Sequence, residues 1–487
     1  MIAVNNELFH PVDSLFAEKF LRPYPEATKN ASLFLAYMLR AAREGHLCVL
    51  VEKDHIVPSL GAQWDRKILQ GAYELPASLF EEIIIQKANR WYLRRNWECE
   101  ERFLKHFNLL KQNSPFIEVS VEAIKTKLKR LNNLQPEQKE AICKAAFQSI
   151  SLISGGPGTG KTYTAAALIQ VFSDLIKGKV AAAAPTGKAA ANLRAVLGKE
   201  IQVKTLQAFL KKERLPFDLL LVDEASMIDA ELMGKLFASL KRGARLVLVG
   251  DVYQLPPIES GHFFADLYSK KEHVTELKRC LRAERSEVID LANRVKENKP
   301  LPFSPLPEVK ELVNYLTEKL CFEEGIENHY NRFRPLSSLR QGPFGVDHLN
   351  QLLYQAHLKR CGKRSLFVPI MITANQPSLD LFNGEIGFLA KDQKCAYFSN
   401  SKRISEALLP PYELAYLLSV HKSQGSEYDS VLILLPEGSE TFGREMLYTA
   451  VTRAKSEVEI LSKKPVMESI MSKQSHRLSG VDYYLSK

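Results

Sequence analysis

The stretch "SLISGGPGTGKTYTAAALI" carries Gly155, then four residues, then Gly160, Lys161 and Thr162. That spacing belongs to a loop whose glycines let backbone N–H groups turn inward around phosphate oxygens. Gly155, Gly156, Pro157, Gly158, Thr159 and Gly160 would form the cradle. Lys161 would reach the β and γ oxygens of a nucleoside triphosphate, and Thr162 would ligate magnesium. A metal needs a second oxygen ligand, and hydrolysis needs a positioned water. "DLLLVDEAS" supplies both: Asp223 to hold the metal, and Glu224 to orient and deprotonate the attacking water. After the next apolar run, "RLVLVGD", comes "VYQLPPI". Gln254 there is placed to sense a γ-phosphate, on a loop stiffened by Pro256 and Pro257. The same "QLPP" also reads as a plain rigid turn.

A second chemistry is phosphate contact without base reading. "APTGKAAANL" sets Thr186, Gly187 and Lys188 at a strand end and helix start, behind Pro185, which pre-shapes the loop. Amides, a hydroxyl and an ammonium at such a position can bind backbone phosphates. Taken alone, the same residues also make an ordinary turn. "LSVHKSQGSEYDSVLIL" crowds Ser419, His421, Lys422, Ser423 and Gln424 just ahead of an apolar strand, and Ser419, Lys422 and Ser423 are phosphate-contact candidates. None of these groups reads a base edge, so binding is expected to be largely independent of sequence and to weaken steeply with salt.

These side chains must be held by particular elements. "SLISG", "KVAAAAP", "DLLLVDE" and "RLVLVGD" are continuous apolar runs alternating with helical segments. Strands of this kind belong to a parallel sheet covered on both faces, so residues from about 131 to 298 are expected to form an α/β domain. The Pro-rich "KENKPLPFSPLPE" ends it. "RPLSSLRQG", "FVPIMITA", "SVLILLP" and "EVEILS" then suggest a second α/β domain over 299–487, with a small β insertion at about 365–412. Before 131 the patterns are mainly helical, as in "ASLFLAYMLRAAREG", which Gly45 stops, with "HLCVLVE" as a short strand. "SLFEEIIIQKANRWYLRRNWECEERFLKHFNLL" reads as helical too; its Lys87, Arg90, Trp91 and Tyr92 mix basic and aromatic groups that could stack on bases or simply form an amphipathic face.

At 487 residues the chain is long enough for two to four domains. Lys and Arg outnumber Asp and Glu by 66 to 56, a formal charge of +10 that favours a polyanionic partner. The 7 cysteines form no C-x-x-C pair, which suggests neither a zinc module nor a disulfide frame. Neither a leader pattern nor a membrane-spanning apolar run is visible, and a soluble, cytoplasmic protein is expected.

"LQPEQKEAI", "GGPGTGKT", "APTGKAAANL", "LLLVDEASMID", "VLVGDVYQLPPI", "LRQGPFGVDHLN", "LFNGEIG", "SVHKSQGSEYD" and "LYTAVTRAK" follow one another between about 134 and 455, and "RLSGVDYYL" closes the chain. This ordered set resembles the RecD family, the alpha subunit of exodeoxyribonuclease V (RecBCD), within superfamily 1 of the DNA helicases. The resemblance implies two RecA-like P-loop NTPase domains with parallel sheets, an SH3-like β insertion in the second, and an N-terminal domain over 1–130 that contacts partner subunits. It implies an ATP- and Mg²⁺-dependent single-stranded DNA translocase and 5′–3′ helicase working in double-strand break repair and recombination. The expected partners are single-stranded and duplex-end DNA, a RecB-like nuclease-helicase that supplies nuclease activity, and a RecC-like scaffold. It places adenine reading on Gln138 and γ-phosphate contact from the second domain on Arg453 and Arg282, though Ala283 follows where relatives often have Gln. Thr205 joins the DNA track; Gln207 stands where relatives usually have His. Gln424, Gly425 and Glu427 would couple the track to the nucleotide. Only "KKERLPFD" separates Leu210 from the Asp-Glu strand, where self-sufficient relatives carry a strand-separating hairpin, which implies that a partner supplies the wedge. The alternatives are a self-contained helicase of the longer RecD-like branch, and a regulatory subunit with a vestigial ATPase.

Overall fold

In the computed structural model, the described residues are 8–80, 82–131, 133–280, 286–320, 332–361, 367–398 and 402–485. Near the N-terminus β1 (Cys48–Val51), β2 (Ile56–Val57), β3 (Ile84–Lys87) and β4 (Arg90–Leu93) form an antiparallel sheet in the order β2-β1-β4-β3. The helix Lys29–Arg43, capped by the Thr28 hydroxyl, buries Phe34, Leu35 and Met38 in the same core cluster as Val49 and Ile84 of that sheet. Part of the stretch read as helical is therefore a hairpin. Ile83, Ile84 and Ile85 are three successive β-branched residues that favour extended backbone. Ala88, in the left-handed region at φ 56°, begins the two-residue turn that pairs Lys87 with Arg90. Trp91 is buried edge-on against Phe34 and Phe80, and Tyr92 is fully buried, so these rings serve the fold rather than a base-stacking surface.

The first parallel sheet contains β5 (Ile150–Gly155), β6 (Val180–Ala184), β7 (Gln202–Thr205), β8 (Leu219–Val222), β9 (Arg245–Gly250) and β10 (Val274–Leu277), in the order β10-β5-β9-β8-β6-β7. Every neighbouring pair is parallel. Alternation still shows beneath the continuous apolar runs: Leu220 and Val222 join one core, Leu219 and Leu221 the other, because both faces are covered. One cover is the helix Arg94–Gln112, whose Phe103 and Phe107 pack with Leu220 and Leu248. The other includes the helix Val121–Arg130 through Ile124 and Leu128. Residues 94–130, expected within the N-terminal domain, thus pack on the sheet of the first α/β unit.

A second parallel sheet begins with β11 (Ser304–Pro305) and β12 (Phe333–Ser337). Five antiparallel strands follow: β13 (Phe367–Ile372), β14 (Ile386–Ala390), β15 (Cys395–Phe398), β16 (Lys402–Ser405) and β17 (Tyr412–Leu414), in the order β16-β15-β14-β13-β17. The chain then returns through β18 (Leu418–Ser419), β19 (Tyr428–Leu435) and β20 (Ala454–Ser462), completing the parallel order β11-β20-β19-β12-β18. Among the described residues no helix is long and apolar enough to cross a membrane.

After the helix Lys464–Ser472 the chain runs back to the opposite end of the sequence. The Leu47 N–H donates to the Leu478 carbonyl at 2.8 Å, and the Gly480 N–H and Tyr92 hydroxyl both donate to the carboxylate of Glu100, each at 2.9 Å. Glu100 is fully buried, which pushes its pKa up to about 7, while the Gly480 N–H and the Tyr92 hydroxyl draw it back. A carboxyl raised in the fold contributes its full stability below its unfolded value and loses it as pH rises through about 7. Between about pH 5 and pH 8, wild type should therefore lose up to roughly 3 kcal/mol relative to Glu100→Gln. Thermal melts of both proteins across that interval test this; parallel curves would show that Glu100 does not titrate there.

Candidate functional site

Loops at the C-terminal ends of the parallel strands meet in a cleft of about 1380 Å³. A parallel sheet points all such loops to one edge, so residues far apart in sequence converge there. β5 runs into the glycine loop, β8 into Asp223 and Glu224, and β9 into Asp251 and Gln254. Lys161, Thr162, Asp223, Glu224, Gln254 and, from the second sheet, Arg453 all line this cleft.

Gly160, at φ 81°, lies in the left-handed region just before the helix Lys161–Leu175, where a side chain would be strained. The Lys161 ammonium donates to the carbonyls of Gly155 at 2.6 Å and Gly156 at 3.0 Å. Thr159 closes the loop with a bond to the Gly156 carbonyl at 2.9 Å. Gln138 is 1% exposed, and each end of its amide makes one bond: Oε1 accepts from the Gln135 N–H at 3.0 Å, and Nε2 donates to the Thr159 carbonyl at 3.4 Å. This geometry braces the glycine loop through Gln138, the residue on which the resemblance places adenine reading.

Burial, and next the neighbouring Glu224 carboxylate, push Asp223 up to about 7, while the Glu224 N–H and Lys161 pull it back. A carboxylate whose charge is this poorly solvated suits a bound cation. Glu224 sits at φ 52°, a strained backbone for a non-glycine residue, and its Oε2 is buried with no hydrogen-bond partner. The Oε1 of Gln254 is orphaned in the same way. Two buried acceptors without donors on the wall of one cleft fit a site built for polar ligand atoms or water.

Contacts that the sequence reading missed hold the two sheets together. Tyr448 donates its buried hydroxyl to Asp251 Oδ2 at 2.8 Å, and the Leu255 N–H donates to Thr449 Oγ1 at 2.7 Å. The Lys296 ammonium lies 4.2 Å from the Tyr253 ring centroid and 5.0 Å from that of Tyr448. Tyr448 and Thr449 lie inside "LYTAVTRAK", beside the residue already singled out there. Arg453 is 5% exposed and donates to the carbonyls of Thr449 at 3.0 Å and Ser426 at 3.1 Å. Arg282, the other arginine expected to cross the cleft, lies outside the described residues.

Thr186 caps the helix Gly187–Leu197, accepting from the Ala189 N–H at 3.2 Å, with Pro185 leading in and Lys188 in the first turn. Thr205 caps the short helix Leu206–Phe209, and Gln207 is exposed. On the other side the placements divide. Lys422 forms an ion pair with Glu413, and its N–H donates to Ser419 Oγ. His421 is largely buried, with its ring edge-on to Phe442. Ser423 requires correction: it is fully buried and its hydroxyl donates to the Val420 carbonyl at 2.7 Å, so as placed it shapes the turn and does not face a phosphate. The Nε2 of Gln424 is buried without a partner, while Gly425 and Glu427 line the cleft.

A family model described as an AAA domain matches residues 133–308, and one described as a UvrD-like helicase C-terminal domain matches 414–461. The chain is 28% identical to the "RecBCD enzyme subunit RecD" of Mycolicibacterium smegmatis, covering 98% of this chain and 97% of that protein. It is 31% identical to the "ATP-dependent RecD2 DNA helicase" of Deinococcus radiodurans, over 67% of this chain and 49% of that protein. A solved structure of Bacteroides Pif1 bound to ssDNA overlaps 69% of this chain and 93% of its own at 16% identity, with a TM-score of 0.45, too distant to inform function.

Proposed function

Since this chain is an ATP-dependent DNA helicase of the RecD family, within superfamily 1, we propose that it is the 5′–3′ motor subunit of a RecBCD-type complex acting at broken DNA ends. The observation that carries this reading is the full-length match to a RecD subunit, 97% of whose length is covered. The short interval before β8 supports it: residues 211–218 form no helix and no strand beyond an isolated bridge of Leu215 with Leu240, and leave no room for a strand-separating hairpin. A RecB-like nuclease-helicase and a RecC-like scaffold would supply the wedge and the strand cutting.

In this reading Lys161 and the amides of the glycine loop bind the β- and γ-phosphates. Thr162 and Asp223 would hold Mg²⁺, which neutralises phosphate charge when bound. Glu224 orients the attacking water and takes its proton through its unpartnered oxygen. Gln254 contacts the γ-phosphate, and Arg453 reaches it from the second sheet, so the site is complete only when the two sheets close on it. Pro185, Thr186, Gly187, Lys188, Thr205, Gln207, Ser419, His421, Lys422 and Gln424 border the DNA track, with the two lysines supplying its positive charge.

The test compares forked duplexes with a 5′ or a 3′ single-stranded tail, using the purified chain alone and with its RecB-like and RecC-like partners. Unwinding that starts from the 5′ tail and requires the partners is expected. Efficient unwinding by the chain alone would defeat the subunit reading, and entry from the 3′ tail would defeat the polarity.

A further inference from the structure

Ser426 is bonded on two sides by residues from opposite walls of the cleft. Its hydroxyl accepts from the Lys188 ammonium at 2.5 Å, and its carbonyl accepts from Arg453 Nη1 at 3.1 Å. Lys188 stands at the start of a helix on the first sheet, whereas Arg453 directly precedes β20 of the second. A neighbouring contact reinforces the junction: Asn192 Nδ2 donates to the Gly425 carbonyl at 3.4 Å.

Three features make this a junction that can move. Ser426 is 6% exposed, so its carbonyl is costly to leave without a donor. Gly425 before it has a φ of 71°, a backbone conformation glycine adopts without strain, and nothing lies within 4 Å of its Cβ position. Arg453 Nε, Nη2 and Nη1 bond the Thr449 carbonyl, Thr452 Oγ1 and the Ser426 carbonyl, so a turn of the rigid, planar guanidinium toward a phosphate disturbs its hold on Ser426. Tyr428, two residues on, lies within the field of Arg334, Lys188 and Arg453; burial raises its hydroxyl pKa, but these cations outweigh burial and leave it lowered. The junction is therefore crowded with positive charge, and a phosphate approaching either wall competes directly for the donors that Ser426 holds.

We propose that Ser426 is a positioning residue that ties the grip of Lys188 on the DNA backbone to the position of Arg453. When Arg453 turns toward a nucleotide phosphate, the Ser426 carbonyl loses its donor, the Gly425–Ser426 segment shifts, and the Lys188 ammonium is released to a DNA phosphate. The inference rests on the reading that Lys188 contacts DNA and Arg453 contacts the nucleotide.

The experiment measures the affinity of the full chain for oligo-dT with and without a non-hydrolysable ATP analogue. Wild type is expected to bind about tenfold tighter with the analogue, the worth of one freed charged hydrogen bond. In Ser426→Ala, affinity without nucleotide should rise toward the bound level and the ratio should fall to about twofold or less; Ser426→Thr, which keeps the hydroxyl, should restore it. Thermal melts matched to wild type separate this from a folding defect. A wild-type ratio of one, or a Ser426→Ala ratio equal to wild type while Lys188→Ala weakens binding in both states, overturns the tie alone. If Lys188→Ala leaves DNA affinity unchanged, the underlying track reading fails and the proposal with it.

Discussion

Lys161→Gln is expected to lower the kcat of DNA-stimulated ATP hydrolysis by about 10²- to 10³-fold, the scale on which a fixed group stabilising transition-state charge acts. Among the described residues the ammonium's hydrogen bonds go to the carbonyls of Gly155 and Gly156 and none to a carboxylate, so it can exchange those carbonyls for phosphate oxygens. Glutamine can keep a hydrogen bond to a carbonyl but brings no charge to the β- and γ-phosphates. The loop should remain folded, because Thr159 and Gln138 still close it from within. Steady-state ATPase assays with saturating single-stranded DNA, paired with a melting curve, measure both halves of this expectation. Wild-type turnover in the variant would remove the glycine loop from the engine.

Arg453→Ala is expected to cost about 10³-fold in kcat while nucleotide affinity changes far less, because a guanidinium that reaches across the cleft acts mainly on the charge developing in transfer. Arg453→Lys should recover little of this loss: an ammonium cannot replace a planar fork that bonds Thr449, Ser426 and Thr452 while presenting an arm to the cleft. Removing the side chain also takes the Arg453 donor from the buried Ser426 carbonyl, at about 1–3 kcal/mol, while the Thr449 carbonyl keeps the Thr452 hydroxyl, so melting should fall measurably. Turnover and fluorescent-nucleotide binding on the same samples separate the two effects. Equal losses in affinity and kcat would reduce Arg453 to a binding group.

Much of the ATP-binding half was legible because local sequence dictates it. A glycine loop after a buried strand, and an Asp-Glu pair after four apolar residues, need no distant partner to be understood. The hairpin of β3 and β4 was missed because charged residues around "IIIQKANRWYL" imitate a helical stripe, whereas Trp91 is buried by Phe34, some 57 positions away, which no local pattern reveals. Ser423 looked like a phosphate ligand by type, and only its turn onto the Val420 carbonyl removes it from the surface.

The sequence alone determined the elements and their chemistry: continuous apolar strands, the loops at their ends, and the charged or hydroxyl groups those loops carry. Backbone propensity, hydrophobic period and glycine freedom act over a few residues and are written locally. Only the tertiary structure decided which of those groups share one cleft, that the last residues clamp Glu100 near the N-terminal sheet, and that Ser426 stands between Lys188 and Arg453. Such pairings depend on strand order and on the packing of two sheets, which bring residues hundreds of positions apart within hydrogen-bond distance, and hydrogen bonds are decided at that range.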